Sequence, residues 1–142
     1  MADFLDVNVW VALSVSEHPH HAEAMRYWAQ DASGNMAFCR TTALGLLRIC
    51  CQVNAIGGSP LDTADAWSIY QRWLAHPGVK LATEPSGIDD CLAQWLSQGV
   101  HVHRTWTDAY LAAFAKSGSL RLVTFDKDFE RFTGLDLLLL DS

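Results

Sequence analysis

Short apolar segments alternate with longer helical segments along almost the whole of this 142-residue sequence. Segments with the length and composition of buried strands occur at residues 3–6, 36–39, 79–83, 120–125 and 135–140. Strands that are separated by helices and short links are typical of a parallel sheet with helices on both faces. We therefore predict an α/β fold with a parallel sheet of four or five strands, in one domain that spans residues 1–142.

Apolar residues at helical spacing, and residues that begin or end helices, place helices between these strands. The predicted helices cover about residues 8–17, 18–32, 42–54, 61–76, 88–97, 108–118 and 127–132. Either Thr41 or Thr42 is expected to cap the third helix. The sequence AIGGSP, at residues 55–60, predicts a loop.

The composition indicates a compact protein, because 50% of the residues are hydrophobic and only 18% are charged. No run of apolar residues is long enough to span a membrane, and the N-terminus lacks the pattern of a signal peptide. We therefore expect a cytoplasmic protein with no membrane partner. The net charge of −6 argues against binding nucleic acid through a broad basic surface. It does not exclude a nuclease, because a bound cation inverts the field of its carboxylate ligands.

Cysteine and histidine give little sign of a zinc site. The cysteines lack the CxxC spacing of zinc ligands, so we predict buried thiols at Cys39, Cys50, Cys51 and Cys91. The histidines also lack ligand spacing, and solvated positions are expected for His18, His20, His21, His101 and His103.

Four acidic residues follow predicted strands or begin a predicted helix. Asp6 ends the first strand, Asp126 and Asp128 follow the strand at residues 120–125, and Asp108 begins a helix. The carboxyl ends of parallel strands share one edge of the sheet, so these carboxylates could meet there. Oxygen-rich clusters suit Mg²⁺ or Mn²⁺, which can activate water and neutralise the charge on a phosphodiester.

Each of these acids also has a purely structural interpretation. Asp108 could be favoured by the dipole of its helix, and Asp128 could cap the short helix at residues 127–132. Asp126 could hold a turn, and Asp6 could cap the first helix. Asp6 is the hardest to explain in this way, because burial of a lone carboxylate among apolar neighbours is costly.

Three segments, FLDVNVWVAL (residues 4–13), TWTDAYLAAFA (105–115) and LVTFDKDFERF (122–132), together resemble PIN domains. More closely, they resemble the VapC-type toxin ribonucleases of bacterial toxin–antitoxin pairs, and the resemblance covers essentially the whole chain. It implies a Mg²⁺-dependent endoribonuclease, with Mn²⁺ as a possible substitute. It also implies a homodimer whose partner is a small antitoxin, with RNA as the substrate.

The resemblance also implies roles for particular residues. Asp6, Asp108 and Asp126 match the acidic positions of the family, so they are expected to be catalytic and to hold the metal. Asn8 and Thr107 match its polar helper positions. Asp128 could join the site through a water molecule.

One feature departs from the family pattern. The family commonly has a Glu on the helix after the second strand, whereas this helix contains no acid, and Gly45 or Leu46 is the expected equivalent. A subset of the toxins resembles this chain in having a Thr and an Arg on that helix, here Thr42 and Arg48. Arg48 could contact RNA phosphate or an antitoxin carboxylate. It could equally pair with an acid of the site or extend to solvent.

The missing Glu keeps open a second interpretation, a non-catalytic binding module with the same fold. A phospho-acceptor receiver domain is disfavoured, since Val7 and Asn8 follow Asp6 where that class needs adjacent acids. A hydrolase of small phosphate esters is opposed only by the family resemblance. Trp67, Tyr70 and Trp73 form an apolar stripe at helical spacing, which predicts an interface with a partner.

Overall fold

The computed structural model describes residues 2–52 and 59–141, and it shows a five-stranded sheet with helices on both faces. Residues 55–58 of the predicted loop lie outside the described residues. The strands are β1 (Asp3–Leu5), β2 (Met36–Phe38), β3 (Val79–Leu81), β4 (Arg121–Thr124) and β5 (Leu137–Leu139). The α-helices are α1 (Val7–Ser14), α2 (His21–Arg26), α3 (Arg40–Cys50), α4 (Thr63–Ala75), α5 (Ile88–Ser97) and α6 (Trp106–Ser117). Tyr27–Asp31 continues α2 as a π-helix, and Lys127–Arg131 forms a 3₁₀ helix.

The strands lie in the order β3-β2-β1-β4-β5, and every neighbouring pair is parallel. This confirms the predicted parallel α/β sheet. The central strand, β1, has the second strand of the chain on one side and the fourth on the other. Such a reversal of strand order opens a crevice at the carboxyl ends of the strands, where α/β proteins commonly bind ligands.

Successive residues of β1 face opposite sides of the sheet, as the strand period requires. Leu5 packs into a core with side chains from α1 to α4, whereas Phe4 packs into a second core with α5 and α6. Phe4 stacks on Phe114 of α6 with the ring centroids 4.8 Å apart. The sheet is therefore covered on both faces, and only its edges remain for a site. No helix among the described residues is long and apolar enough to cross a membrane.

Two local predictions are wrong. The helix predicted from residue 18 begins only at His21, because Nδ1 of His18 accepts a hydrogen bond from the backbone N–H of His20 and holds a turn there. Neither Thr41 nor Thr42 is the cap of α3, since the cap is Cys39. The hydroxyl of Thr42 instead accepts a hydrogen bond from the Cys39 backbone N–H at 3.0 Å, three residues inside the helix.

Burial also corrects two predictions about side chains. Cys39 and Cys50 are buried thiols as predicted, but Cys51 is exposed and Cys91 is half-buried. Successive helical residues point about 100° apart, so Cys50 and Cys51 cannot both face the core.

The predicted aromatic stripe on α4 does not form one external surface. Tyr70 packs edge-on against Phe38 inside the core, with the ring centroids 5.3 Å apart. The Trp73 indole packs against Trp10, with the ring centroids 5.3 Å apart. Trp67 alone of the three is half exposed, so it is the member of the stripe that can meet a partner.

A buried ion pair fixes the amino end of β1 against β4. Asp3 has no solvent exposure, and its carboxylate accepts hydrogen bonds from Nε and Nη2 of Arg121 at 2.9 and 3.0 Å. The Tyr27 hydroxyl and the Ser33 backbone N–H also donate to it. Every oxygen of this carboxylate is therefore satisfied, which is the condition for burying a charge without a large penalty.

Asp3→Ala is expected to lower the free energy of unfolding by about 3–5 kcal/mol, because it leaves the Arg121 guanidinium without its counter-ion. Asp31→Ala is the matched control, since Asp31 pairs with Arg26 at the surface and such pairs contribute only about 0–1 kcal/mol. Urea denaturation of both variants measures the difference. Equal losses in the two variants would show that the buried network stabilises the protein no more than a surface ion pair does.

Candidate functional site

Asp6 is the first residue beyond β1 and the cap of α1. Its Oδ1 accepts a hydrogen bond from the Val7 backbone N–H at 2.7 Å, and its Oδ2 accepts one from the Thr124 hydroxyl at 2.8 Å. Only 8% of the residue is exposed. The structural and functional interpretations of Asp6 are therefore compatible, since one oxygen caps the helix while the carboxylate lies at the carboxyl edge of the sheet.

Asp126 follows β4 at the same edge. Its backbone N–H donates to Thr124 Oγ1 at 3.0 Å, and its Oδ1 accepts from the Asp128 backbone N–H at 2.9 Å. Asp126, not Asp128, therefore caps the 3₁₀ helix. Asp128 lies in the first turn of that helix and is exposed to solvent.

Electrostatic interactions show that the acids converge. Burial raises the pKa of Asp6 to about 6, and the negative charges of Asp108 and Asp126 add to this effect. Burial also raises the pKa of Asp108, assisted by the charges of Asp126 and Asp128 and opposed by Arg131. Carboxylates that repel one another in this way form a site with excess negative charge, and a cation is the natural means of neutralising it.

The residues suit a hard metal ion by their chemistry, although they do not form a finished ligand shell. Within residues 2–52 and 59–141, no three His, Cys, Asp or Glu side chains are arranged as a ready metal site. Both oxygens of Asp6 and one of Asp126 already accept hydrogen bonds from the protein. Asn8 lies two residues after Asp6 in the chain. Its Oδ1 is buried and has no hydrogen-bond partner within the described residues. Carboxylate and amide oxygens are the ligands that Mg²⁺ and Mn²⁺ prefer.

The remaining predicted site residues differ in their surroundings. Thr107 is exposed on the first turn of α6, next to Asp108. Thr42 is fully buried, and both its hydrogen-bonding roles are used by the Cys39 backbone, so in this structure it does not reach a substrate. Arg48 is exposed in the last turn of α3 and forms no ion pair within the part of the chain described, so it does not pair with an acid of the site.

At Gly45, one of the two expected equivalents of the missing Glu, helix α3 lies very close to helix α1. A Cβ atom on Gly45 would lie 2.7 Å from Cγ2 of Val7, which is too short for any real contact. Leu46, the other expected equivalent, is buried in the core with 1% exposure. Neither position has room for an acidic side chain without movement of α1 or of core side chains.

Two residues of the site were not identified from the sequence. Thr124 is fully buried and joins the Asp6 carboxylate to the Asp126 backbone, and a polar residue at the end of the apolar strand LVTF is the signal that could have revealed it. Arg131 lies close enough to lower the pKa of Asp108, and its Nη2 donates to the Thr105 hydroxyl at 2.7 Å. No sequence pattern indicated Arg131, because its role depends on how the 3₁₀ helix packs against α6.

The chain belongs to the PIN-domain family, whose sequence model matches residues 4–135. Ribonuclease VapC41 from Mycobacterium tuberculosis is 40% identical over 144 residues, which covers 95% of this chain and 96% of that protein. Ribonuclease VapC38 from the same organism is 32% identical over 123 residues, or 86% of this chain and 83% of its own length. The resemblance to VapC-type proteins predicted from the sequence is confirmed.

Solved structures share the fold. VapBC2 from Rickettsia felis, bound to a promoter DNA fragment, superposes with a TM-score of 0.69 at 14% identity, over 99% of this chain and 100% of the other. VapC20 from Mycobacterium tuberculosis, a toxin that cleaves the sarcin–ricin loop, has a TM-score of 0.69 at 17% identity, over 95% of this chain and 98% of the other.

Asp6→Asn is expected to raise the free energy of unfolding at about pH 8 by roughly 1–3 kcal/mol. The pKa of Asp6 lies at about 6 in the folded protein and at about 3.8 when unfolded. Between these pH values the folded state binds more protons, so the wild type loses stability as the pH rises. Asp6→Asn has no carboxyl group to ionise and therefore lacks this loss. Below about pH 4 the two proteins should have similar free energies of unfolding. Urea denaturation in EDTA at both pH values measures the effect.

The control for this experiment is Asp89→Asn, at an exposed position in the first turn of α5. It should change stability little at either pH. If the wild type is as stable as Asp6→Asn at high pH, the ionised Asp6 carboxylate does not destabilise the folded protein.

Gly45→Ala is expected to destabilise the protein by about 1–2 kcal/mol, although Ala favours helices over Gly by about 1 kcal/mol. The reason is the clash with Val7, whose branched side chain has one strongly preferred rotamer in a helix. In a Val7→Ala background the same substitution should stabilise the protein, because the clash is gone. A double-mutant cycle by urea denaturation measures the coupling. Additive effects would mean that α1 and α3 are not held at this distance by the two residues.

Proposed function

We propose that this protein is a Mg²⁺-dependent endoribonuclease and the toxin of a toxin–antitoxin pair. The observation that carries the proposal is the convergence of Asp6, Asp108 and Asp126 at the carboxyl edge of a PIN-domain sheet. Burial raises the pKa values of Asp6 and Asp108, and the negative charge of Asp126 adds to the rise in both. The similarity to two proteins named as ribonucleases, at 40% and 32% identity, supports RNA as the substrate.

In this proposal Asp6, Asp108 and Asp126 hold Mg²⁺, or Mn²⁺ as a substitute. When bound, the ion supplies activated water and neutralises charge that develops on the phosphodiester. Thr124 orients the Asp6 carboxylate and keeps the ends of β1 and β4 together. Asn8, Thr107 and Asp128 assist by orienting ligands or water at the rim of the site.

The charge balance favours catalysis over the alternative of a non-catalytic binding module. The missing Glu on α3 supports the module, because it removes one anionic ligand. A buried, ionised Asp6 that neighbouring acids repel destabilises the folded protein at neutral pH. A neutral residue such as Asn or Ser could cap α1 equally well, so a binding module without a cation does not need the charge of Asp6, whereas a metal-dependent nuclease does.

The proposed protein partners are a cognate antitoxin and a second copy of this chain. Solved VapBC complexes from Rickettsia felis and Salmonella typhimurium share the fold of this chain, the second with a TM-score of 0.65 at 19% identity over 97% of this chain and 98% of the other. Leu44 on α3 and Trp67 on α4 are 56% and 50% exposed. Large apolar side chains exposed on adjacent helices are suited to an interface with another protein.

Asp108→Asn and Asp126→Asn are each expected to lower the rate of RNA cleavage by about 100-fold or more, because the amide removes a charge that the metal needs. EDTA should abolish cleavage by the wild type, and Mg²⁺ or Mn²⁺ should restore it. The measurement is cleavage of fluorophore-labelled single-stranded RNA by the purified chain.

Asp62→Asn is the matched control for these variants. Asp62 caps α4 by accepting a hydrogen bond from the Asp65 backbone N–H at 2.8 Å, and Asn caps helices equally well. This variant should cleave RNA like the wild type. Full activity in folded Asp108→Asn and Asp126→Asn, or cleavage that persists in EDTA, would contradict the proposed function.

A further inference from the structure

A groove that contains two arginines and two histidines lies beside the acidic site. It has a volume of about 690 Å³, and it is lined by His101, Val102, His103, Arg104, Thr105 and Arg131. Among the described residues no acid lines it, although the whole chain carries a net charge of −6. A local concentration of positive groups on an acidic protein indicates a site for an anion.

Arg131 connects this groove to the acids. Its guanidinium donates to the Thr105 hydroxyl at 2.7 Å and is close enough to oppose the rise in the pKa of Asp108. Its Nε is buried and has no hydrogen-bond partner within the described residues. An anion that occupies the groove therefore lies directly next to the carboxylates that would hold the metal.

Aromatic rings accompany the cations. Trp106 follows the groove residues at the start of α6 and is 55% exposed, although a side chain of this size is usually mostly buried. The imidazole rings of His101 and His103 are nearly parallel, with an angle of 8° and centroids 5.6 Å apart. Cationic groups that bind phosphate, combined with exposed rings that stack on bases, are how proteins hold single-stranded nucleic acid.

We infer that the groove formed by His101–Thr105 and Arg131, together with the exposed Trp106 that follows Thr105 in the chain, binds single-stranded RNA beside the cleavage site. Arg104 contacts a phosphate of the strand, and Trp106 stacks on a base. The inference rests on the proposed function, because it assigns the strand held in the groove to the substrate of the acidic site. An acidic segment of a partner protein would use the cations but would leave the exposed rings without a role.

The test is fluorescence anisotropy of a short, mixed-sequence, fluorescein-labelled single-stranded RNA in EDTA, where binding is separated from cleavage. Arg104→Gln should weaken binding by roughly tenfold and reduce the dependence of affinity on salt by about one ion. Trp106→Leu should weaken binding by roughly fivefold or more, with little change in salt dependence. Both residues are exposed, so both variants are expected to fold, which circular dichroism verifies.

Arg72→Gln is the matched control. Arg72 is an exposed arginine in the last turn of α4, where the chain returns to the amino edge of the sheet, opposite the acids. It should bind RNA within about twofold of the wild type.

The outcomes separate this inference from the proposed function. Loss of RNA binding in Arg104→Gln and Trp106→Leu, but not in Arg72→Gln, supports the groove even if no cleavage is ever detected. A wild type that cleaves RNA, with both groove variants binding and cleaving equally well, overturns the inference and leaves the function intact. Failure of the wild type to bind RNA overturns it too. If Arg104→Gln and Trp106→Leu bind RNA like the wild type but lose binding to the antitoxin, the groove binds a protein and the inference is wrong.

Discussion

The parallel register of β1 on β4 determines both the stability of the sheet and the composition of the site. Asp3 pairs with Arg121 at the start of the two strands, and Phe4 and Leu5 pair with the next two residues of β4. The same register carried one step further brings Asp6 to Thr124, where the hydroxyl donates to the carboxylate. A shift of one residue would reverse the faces of every side chain in β1 and separate both polar pairs.

Two carboxylates three residues apart have opposite electrostatic situations. The buried Asp3 carboxylate accepts four hydrogen bonds, two of which come from its counter-ion Arg121. Asp6 accepts hydrogen bonds from two neutral donors, and the negative charges of Asp108 and Asp126 add to the effect of burial in raising its pKa. The first arrangement stabilises the amino end of the strand. The second leaves uncompensated negative charge at the carboxyl end. Because helices cover both faces of the sheet at this strand, a cation can approach and neutralise this negative charge only from the open carboxyl edge.

The sequence predicted the features that depend on local pattern and missed those that depend on tertiary contact. Strand segments ending in acids predicted the sheet and the positions of Asp6 and Asp126, because parallel strands share an edge. The role of Arg131 could not be predicted, since its neighbours Thr105 and Asp108 come from a different element. The interface predicted at Tyr70 was wrong for the same reason, since helical spacing shows that residues share a face but not what that face meets.

The close approach of Gly45 to Val7 restricts how this chain could have changed, or could yet change, by single substitutions. An acid at position 45 requires a smaller residue at position 7, while a smaller residue at position 7 alone leaves a gap between α1 and α3. Each step taken first is unfavourable, and only the pair is compatible with the packing. The two positions are therefore coupled, so a chain with Val7 and Gly45 reaches one with an acid at position 45 only through a less stable single variant.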